Sequence, residues 1–229
     1  MDAKNPLLEK LQSCPTTTED IRKYFSETAN LLMNNYVISK RGIEYEIVEI
    51  EFYLFTHDHP DVITYPRDCK AGQWFFHPSG VDLTFATTDM QFGGILIRGL
   101  RETKGKRKQV FGPLKCVDIL WDKLNAFEAV AAEIPTIIPA NGNIESYEPI
   151  SLPRWIPVRN DKEKALAKIA EWEKRIKDED FIEFNSNTNK DKIFALVFES
   201  EYRFIKNKKE TINFDDDNWK RYNAKIRTT

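Results

Sequence analysis

The sequence predicts a single α+β domain, and three observations support this fold class. Stretches in which apolar residues recur at helical spacing and stretches rich in β-branched and aromatic residues both occur. At 229 residues, the chain is long enough for one large domain. Because no internal repeat or low-complexity linker divides it, we treat residues 1–229 as one domain. It has a helical extension over residues 1–20 and a polar tail over residues 206–229.

The first 35 residues are predicted to form two helices. Three leucines recur at helical spacing in the first helix: Leu7, Leu8 and Leu11. Pro15 and the polar residues that follow it, up to Asp20, are typical of a helix break and a new N-terminus. A second helix is therefore expected to follow.

The middle of the chain is predicted to contain the main strands. In chain order, these are residues 43–54, 73–76, 81–87 and 95–100. The tripeptide Pro78-Ser79-Gly80 is a turn signal between the second and third strands, and Gly93-Gly94 precedes the fourth.

The second half of the chain is predicted to mix helices with loops and short strands. A helix is expected around residues 115–124, and the proline-rich stretch 135–157 is expected to be loop with short strands. The clearest helix covers residues 160–178, with Asn160 or Asp161 as its cap. Its apolar stripe consists of Leu166, Ile169, Ala170, Trp172 and Ile176. Two further strands are expected, at residues 193–198 and 202–205.

The composition excludes several classes of protein. No apolar run approaches the roughly 20 residues that span a bilayer, and no secretory signal is visible, so we expect a soluble, cytoplasmic monomer. Three scattered cysteines give neither a disulfide framework nor a CxxC metal motif. The 34 basic and 36 acidic residues leave a formal charge of −2. This balance weighs against a dedicated nucleic-acid binder, which usually has a basic excess.

The segment Tyr45–Leu54 is the most informative strand. With a period of two, its apolar face is predicted to carry Val48, Ile50, Phe52 and Leu54. The other face then carries Glu49, Glu51 and Tyr53. A glutamate on a cleft-facing strand could serve as a general base. The alternative is an edge strand with a solvated acidic face.

The segment that follows contains two of the three histidines, in Thr56-His57-Asp58-His59-Pro60-Asp61. It is superficially similar to the signature of di-metal hydrolases, but such sites need several more histidines than this chain has. A mononuclear site from His57, His59 and a carboxylate stays open, beside the simpler interpretation of a polar loop.

Short motifs along the chain occur in an order found in one enzyme family. They are Phe25, Ala29, Leu31-Leu32, Val37-Ile38, Ile47–Tyr53, Tyr65–Asp68, Gly72–Phe76, Leu96–Leu100, Gly112–Lys115 and Pro153–Ile156. Over roughly residues 21–205, this series resembles the alkyladenine (3-methyladenine) DNA glycosylase family. The resemblance implies a curved, mostly antiparallel sheet flanked by helices, similar to the fold of that family and of the C-terminal domain of formyltransferases.

The resemblance also implies a chemistry. Family members extrude a damaged purine from duplex DNA and cleave its N-glycosidic bond with an activated water. Glu51 would be the base that activates this water, and Arg98 would hold the water or a phosphate. Tyr53 and Phe75 would sandwich the base, and His59 or His77 would hydrogen-bond to it. No metal or organic cofactor is implied.

The same resemblance suggests where duplex DNA would be bound. The phosphate contacts would come from Arg67, Lys106, Arg107 and Lys115. A solvated basic loop is the alternative interpretation of the run at residues 104–108.

The chain departs from the family pattern in one segment, and this opens two alternatives. His77 replaces a stacking tyrosine, the wedge residue is missing, and Ala86 lies near the position of the asparagine that discriminates between bases. Together with Ser79, Asp82 and Arg98, His77 could form a different polar pocket on the same scaffold. The chain could then act on a nucleoside or another small N-glycoside, or bind a ligand without catalysis.

Overall fold

The structure is a computed structural model that describes residues 5–15, 18–88, 91–105, 108–142, 144–178 and 189–206. Its helices are α1 (Pro6–Gln12), α2 (Thr18–Asn35), α3 (Pro113–Leu120), α4 (Lys162–Lys177) and α5 (Lys190–Phe194). Three short helical turns cover Ala131–Glu133, Pro157–Asn160 and Ala195–Glu199. The strands of the first half are β1 (Tyr36–Lys40), β2 (Ile43–Thr56), β3 (Trp74–His77), β4 (Gly80–Thr88), β5 (Gln91–Glu102) and β6 (Gln109–Phe111). Those of the second half are β7 (Thr136–Pro139), β8 (Pro149–Leu152) and β9 (Arg203–Lys206).

The strands in the described part of the chain form one antiparallel sheet. Its main path runs in the order β3-β4-β5-β2-β1-β7. β6 pairs with β5, while β9 pairs with both β2 and β8. The long strands β2 and β5 pair along nearly their whole length, so they form the centre of the sheet.

Two irregularities interrupt the pairing of β2 with β5. Ile47 is paired with Leu100 and Glu49 with Gly99, which leaves Val48 as an extra residue on β2. Glu49 and Ile50 then pair with Gly99 and Ile97, which leaves Arg98 as an extra residue on β5. Such bulges re-aim side chains locally. Ile47 therefore belongs to the same core cluster as Ile50. A strict period of two predicts that Val48, and not Ile47, lies on this face.

The main hydrophobic core lies between one face of the sheet and helices α1, α2 and α3. Phe25 of α2 stacks on Phe52 of β2, with ring centroids 4.4 Å apart, and meets Tyr202 edge-on at 4.9 Å. A second cluster joins α4 and α5 to the ends of β2 and β5, where Phe55 stacks on Phe92 at 5.1 Å. The other face of β2 carries buried charged residues, described below.

The sequence predicted most of these elements correctly. The mixed α+β class, the antiparallel hairpin around Pro78–Gly80 and the cap of α4 by Asp161 are confirmed, since the Asp161 side chain accepts from the Lys164 amide. The predicted strand at residues 193–198 is wrong, because this segment is helical and places Ile193, Val197 and Phe198 in the second cluster. The tail beyond residue 206 lies outside the described residues. The glycosylase-like architecture stays a prediction.

Candidate functional site

A cavity of about 220 Å³ lies beside the charged face of the sheet. Aromatic and apolar side chains form part of its wall: Tyr53, Ile63, Tyr65, Leu96, Pro113, Trp155, Ile156, Pro157 and Trp172. The rest is polar or charged: Arg67, His77, Ser79, Asp82, Arg98, Lys168 and Arg175. Most ligand sites combine such an apolar wall with a few placed polar groups.

Five of the site residues predicted from the sequence line this cavity. They are Tyr53, Arg67, His77, Asp82 and Arg98, and Ser79 joins them. Several of these side chains lie close together because β4, β5 and β2 are neighbouring strands of the sheet. Asp82 on β4 is paired with Leu96 on β5, two residues before Arg98. Leu96 is in turn paired with Glu51 on β2, two residues before Tyr53.

Glu51, the predicted catalytic base, lies behind the cavity wall. Its side chain is fully buried and is not among the residues that line the cavity. Oε1 accepts from the amide of Trp155 at 2.7 Å. Oε2 accepts from the Tyr53 hydroxyl at 2.7 Å and from Nη1 of Arg98 at 3.1 Å. Glu51 thus holds three parts of the cavity wall in place.

Arg98 connects two buried glutamates to the cavity. Its Nε donates to Oε1 of Glu49 at 2.9 Å, and its Nη1 donates to Glu51. Burial alone would lower the pKa of Arg98, but the two carboxylates outweigh burial and raise it. Glu49 also accepts from Nε of Arg203 at 2.8 Å. Arg98 is therefore a fixed cation at the cavity edge.

The Tyr53 hydroxyl already donates its hydrogen bond to Glu51, so its oxygen can only accept a further hydrogen bond. Burial, and then the charge of Glu51, raise the pKa of Tyr53 well above its ordinary value. The guanidinium of Arg154 lies over the Tyr53 ring, 4.7 Å from its centroid, and fixes the ring from behind.

Asp82 joins Arg67 and His77 into one buried cluster. Its Oδ2 accepts from Nη1 of Arg67 at 2.7 Å, and its Oδ1 lies 3.0 Å from Nε2 of His77. Nδ1 of His77 accepts from the amide of Ser79 at 3.3 Å, so Nε2 carries the ring proton in a neutral His77. Burial alone would raise the pKa of Asp82, but Arg67 and His77 outweigh it and lower the pKa.

The aromatic wall is built from loops and from α4. Tyr65 stacks on His77 with ring centroids 4.5 Å apart, and the Arg175 guanidinium lies 4.2 Å from the centroid of Tyr65. Nη2 of Arg175 donates to the carbonyls of residues 62, 63 and 64, which ties α4 to the loop after β2.

The structure places the other predicted substrate-binding residues outside the cavity wall. His59 is buried, with Nδ1 2.8 Å from the Leu54 carbonyl and Nε2 2.9 Å from the Tyr202 hydroxyl. It lies there because the loop after β2 folds back, with reciprocal backbone bonds between Thr56 and His59. Phe75 is half-buried and packs on Arg67, whose guanidinium carbon lies 4.4 Å from the ring centroid.

Two of the four predicted DNA-contacting residues, Arg67 and Lys115, lie in the described part of the chain, and they do not share a solvent-facing surface. Arg67 is a buried partner of Asp82 rather than a solvent-facing phosphate contact, because Asp82 and the Tyr65 carbonyl hold its guanidinium inside. Lys115 is exposed in the first turn of α3. Lys106 and Arg107 lie outside the described residues.

His57 and His59 do not form the metal site that the sequence left open. The His57 ring is exposed and contacts Asp58, whereas His59 is buried against Leu54 and Tyr202. Over the described ranges, no group of three or more His, Cys, Asp or Glu side chains is arranged to hold a metal ion.

Sequence reasoning missed the part of the site that α4 contributes. Lys168, Trp172 and Arg175 all line the cavity, and Trp172, which belongs to the predicted apolar stripe, also packs against the second hydrophobic cluster. Their spacing of four and three residues places them on one helix face, which was a usable signal. Tyr65 and Trp155 lie in loops and carry no such periodicity.

No protein-family model, no curated protein and no solved structure matches this chain. None of the helices in the described ranges has the length and apolar character needed to cross a membrane.

Proposed function

We propose that this protein binds a small planar ligand of nucleobase or nucleoside type in the cavity between β2, β4, β5 and α4. The observation that carries the proposal is the composition of the cavity wall. Aromatic rings from three different segments, namely Tyr65, Trp155 and Trp172, share this wall with Arg67, Asp82 and Arg98. Aromatic faces bind planar rings by stacking, at about 1–3 kcal/mol per base. Fixed polar groups then set the orientation of the ligand.

The size of the cavity supports a ligand of this class. An apolar cavity of about 150 Å³ can hold a benzene molecule. The cavity here measures about 220 Å³ and is bounded by rigid strands on one side. It therefore has room for one planar ring system with a small polar substituent.

The polar groups of the site are held in place by buried partners. Arg98 is fixed by two glutamates, and Asp82 is fixed by Arg67 and His77. Because these groups are ordered before a ligand arrives, binding costs little side-chain entropy. Such preorganisation favours ligand recognition.

Two of the five tryptophans of the chain line the cavity, so tryptophan fluorescence should report binding directly. We would titrate the protein with adenine, hypoxanthine, uracil and the corresponding nucleosides. Saturable quenching is expected in the wild type and in Trp121→Phe, since Trp121 contacts Trp74 and Phe76 away from the cavity. The combined change Trp155→Phe and Trp172→Phe should remove the signal.

A cavity-filling variant tests the location independently of fluorescence. Ser79 lines the cavity and is exposed, so Ser79→Phe should fill part of the space without disturbing the core. We expect binding, measured by calorimetry, to weaken at least tenfold in Ser79→Phe and to be unchanged in Ser79→Ala. Equal affinities in both variants would place the ligand elsewhere. Failure of every planar ligand to bind the wild type would overturn the proposed function.

N-glycosidic hydrolysis with Glu51 as the base is the second candidate. It is supported by the direct contact of Glu51 with Tyr53 and Arg98, which both line the cavity. A water in the cavity could pass its proton to Glu51 only through the Tyr53 hydroxyl or after Glu51 gives up a partner, since a general base must lie within hydrogen-bond reach. This requirement makes binding the better supported function.

The second candidate has its own assay. Purified protein would be incubated with duplex DNA that contains hypoxanthine, and with free inosine, and base release would be measured. Release by the wild type that is lost in Glu51→Gln would establish the hydrolase. Release that persists in Glu51→Gln would exclude Glu51 as the base, and no release from either substrate would leave ligand binding as the function.

A further inference from the structure

The charged groups around the cavity are not balanced. Four cationic side chains line it, namely Arg67, Arg98, Lys168 and Arg175, but Asp82 is the one carboxylate among its lining residues. Three of these cations have acidic partners: Arg67 is paired with Asp82 in the wall, Arg98 with the buried Glu49 and Glu51, and Lys168 with the exposed Glu171.

Arg175 differs from the other three cations. It donates to three backbone carbonyls, and no carboxylate of the described residues forms an ion pair with it. Glu49 is moreover shared between Arg98 and Arg203. Among the described residues, the four cations of the wall and Arg203 are thus matched by four carboxylates, which leaves one positive charge in excess.

A hydrogen-bond donor also remains available at the cavity. The guanidinium of Arg98 uses Nε and Nη1 for its glutamates, and its Nη2 has no hydrogen-bond partner in the described part of the chain. Nη2 of Arg67 and Nε of Arg175 also lack a partner among the described residues, but both atoms are enclosed by protein and do not face the cavity. Nη2 of Arg98 is therefore the donor that can meet an acceptor on a ligand.

From this excess charge and the free donor of Arg98, we infer that the ligand is a planar monoanion, an aromatic or heteroaromatic carboxylate. The inference rests on the proposed function, because it assigns the charge of the ligand that the same cavity would hold. The ring would lie against the aromatic wall. The carboxylate would accept a charge-assisted hydrogen bond from Nη2 of Arg98 and would be attracted by the positive charge of Arg175.

The test compares each acid with its uncharged amide, which has nearly the same shape. The probes are nicotinate with nicotinamide, orotate with orotamide, and benzoate with benzamide. We expect at least one acid to bind tenfold or more tightly than its amide, with an affinity that falls as salt is raised, because the attraction is electrostatic.

Matched variants separate the role of Arg175 from general effects of charge. Arg175→Gln should abolish the preference for the acid, while Lys174→Gln, an exposed neighbour on the same helix, should keep it. Thermal unfolding of both variants checks that the fold persists. Arg98→Lys, which keeps the charge but loses the planar fork, should reduce the preference in part.

The outcomes distinguish the inference about the charge of the ligand from the proposed binding function. Equal binding of acids and amides would overturn the inference about charge and leave the proposed binding function standing. A preference that survives unchanged in Arg175→Gln and Arg98→Lys would also overturn it. If neither acids nor amides nor the neutral nucleobases bind, the proposed function itself fails.

Discussion

Arg154 and Asp61 form a doubly hydrogen-bonded ion pair that is completely buried. Nη1 of Arg154 donates to Oδ2 of Asp61 at 2.6 Å, and Nη2 donates to Oδ1 at 2.8 Å. The same guanidinium also donates to the carbonyls of Phe52 and Val197. This pair therefore joins β2, the loop after it, the segment before α4 and the helical turn after α5.

Replacing Asp61 should destabilise the fold strongly. Asp61→Asn removes the negative charge and leaves the Arg154 cation buried without a counterion, which typically costs about 3–5 kcal/mol. Chemical denaturation monitored by circular dichroism measures this loss as a lower free energy of unfolding. Asp58→Asn is the matched control, since Asp58 is exposed in the same loop. Equal stability of the two variants would contradict a structural role for the pair.

Gly94 on β5 lies directly against the side chains of the Arg67–Asp82 ion pair. A Cβ built on this glycine would clash with Nη1 of Arg67 and with the Asp82 carboxylate, so Gly94→Ala must displace the pair. We expect a loss of about 1–3 kcal/mol in the free energy of unfolding, typical of overpacking, together with weaker ligand binding.

Gly93→Ala provides the comparison for this prediction. A Cβ at Gly93 would meet the Phe85 ring at 2.7 Å, on the core side of the strand. The stability should fall to a similar extent, but the affinity for a cavity ligand should be kept. If both variants lose affinity equally, the clash at Gly94 does not act through the Arg67–Asp82 pair.

The sequence could predict β2, the strand that carries the site, because the alternation of apolar and polar residues can be read from neighbouring positions. Alternation along β2 correctly separates Phe52 and Leu54, which face the core, from Glu51 and Tyr53. The bulge at Val48 could not be predicted in the same way, since it arises from the pairing with β5. The burial of three of the four glutamates of β2, namely Glu46, Glu49 and Glu51, was not predicted for a related reason. Arg98, Arg101, Arg203 and Lys206, which neutralise them, come from other strands.

The buried position of His59 and the helical structure of residues 193–198 were not predicted, for different reasons. The partner of His59 Nε2 is Tyr202, far along the chain, and no local pattern indicates that contact. The segment 193–198 is rich in residues that favour strands, but Ile193 and Val197 are also separated by one helical turn. Asn189 then caps α5 by accepting from the Asp191 amide, a local signal that was available.

Cys116 and Cys14 should react more slowly with alkylating reagents than the less buried Cys69. Burial raises the pKa of Cys116 to about 12 and that of Cys14 to about 12, and it also raises the pKa of Cys69, which is partly exposed. Because the thiolate is the reactive form, alkylation of Cys116 at pH 8 should be on the order of a thousand-fold slower in the folded than in the unfolded protein. Iodoacetamide labelling followed by peptide mass spectrometry measures each site. Labelling of Cys116 as fast as Cys69 would contradict its burial.

His59 should make the fold sensitive to mild acid. Burial lowers the pKa of His59 below its usual value of 6.5, although the charge of Asp61 opposes this shift. The unfolded chain then binds a proton more readily than the folded one. Stability that is fully present above pH 6.5 is therefore lost progressively as the pH falls towards the folded pKa of His59.

The pH range in which His59 affects stability differs from the range in which Asp82 titrates. The folded pKa of Asp82 lies below 3.8, so its contribution is present above that pH and is lost only as the pH falls below it. We expect the free energy of unfolding of the wild type to decrease as the pH falls below 6.5, and this slope to be much smaller in His59→Asn. His57→Asn, at the exposed histidine of the same loop, should keep the slope of the wild type. If His59→Asn retains the full slope, another group must take up the proton, and the buried contacts of His59 with Leu54 and Tyr202 do not control the acid response.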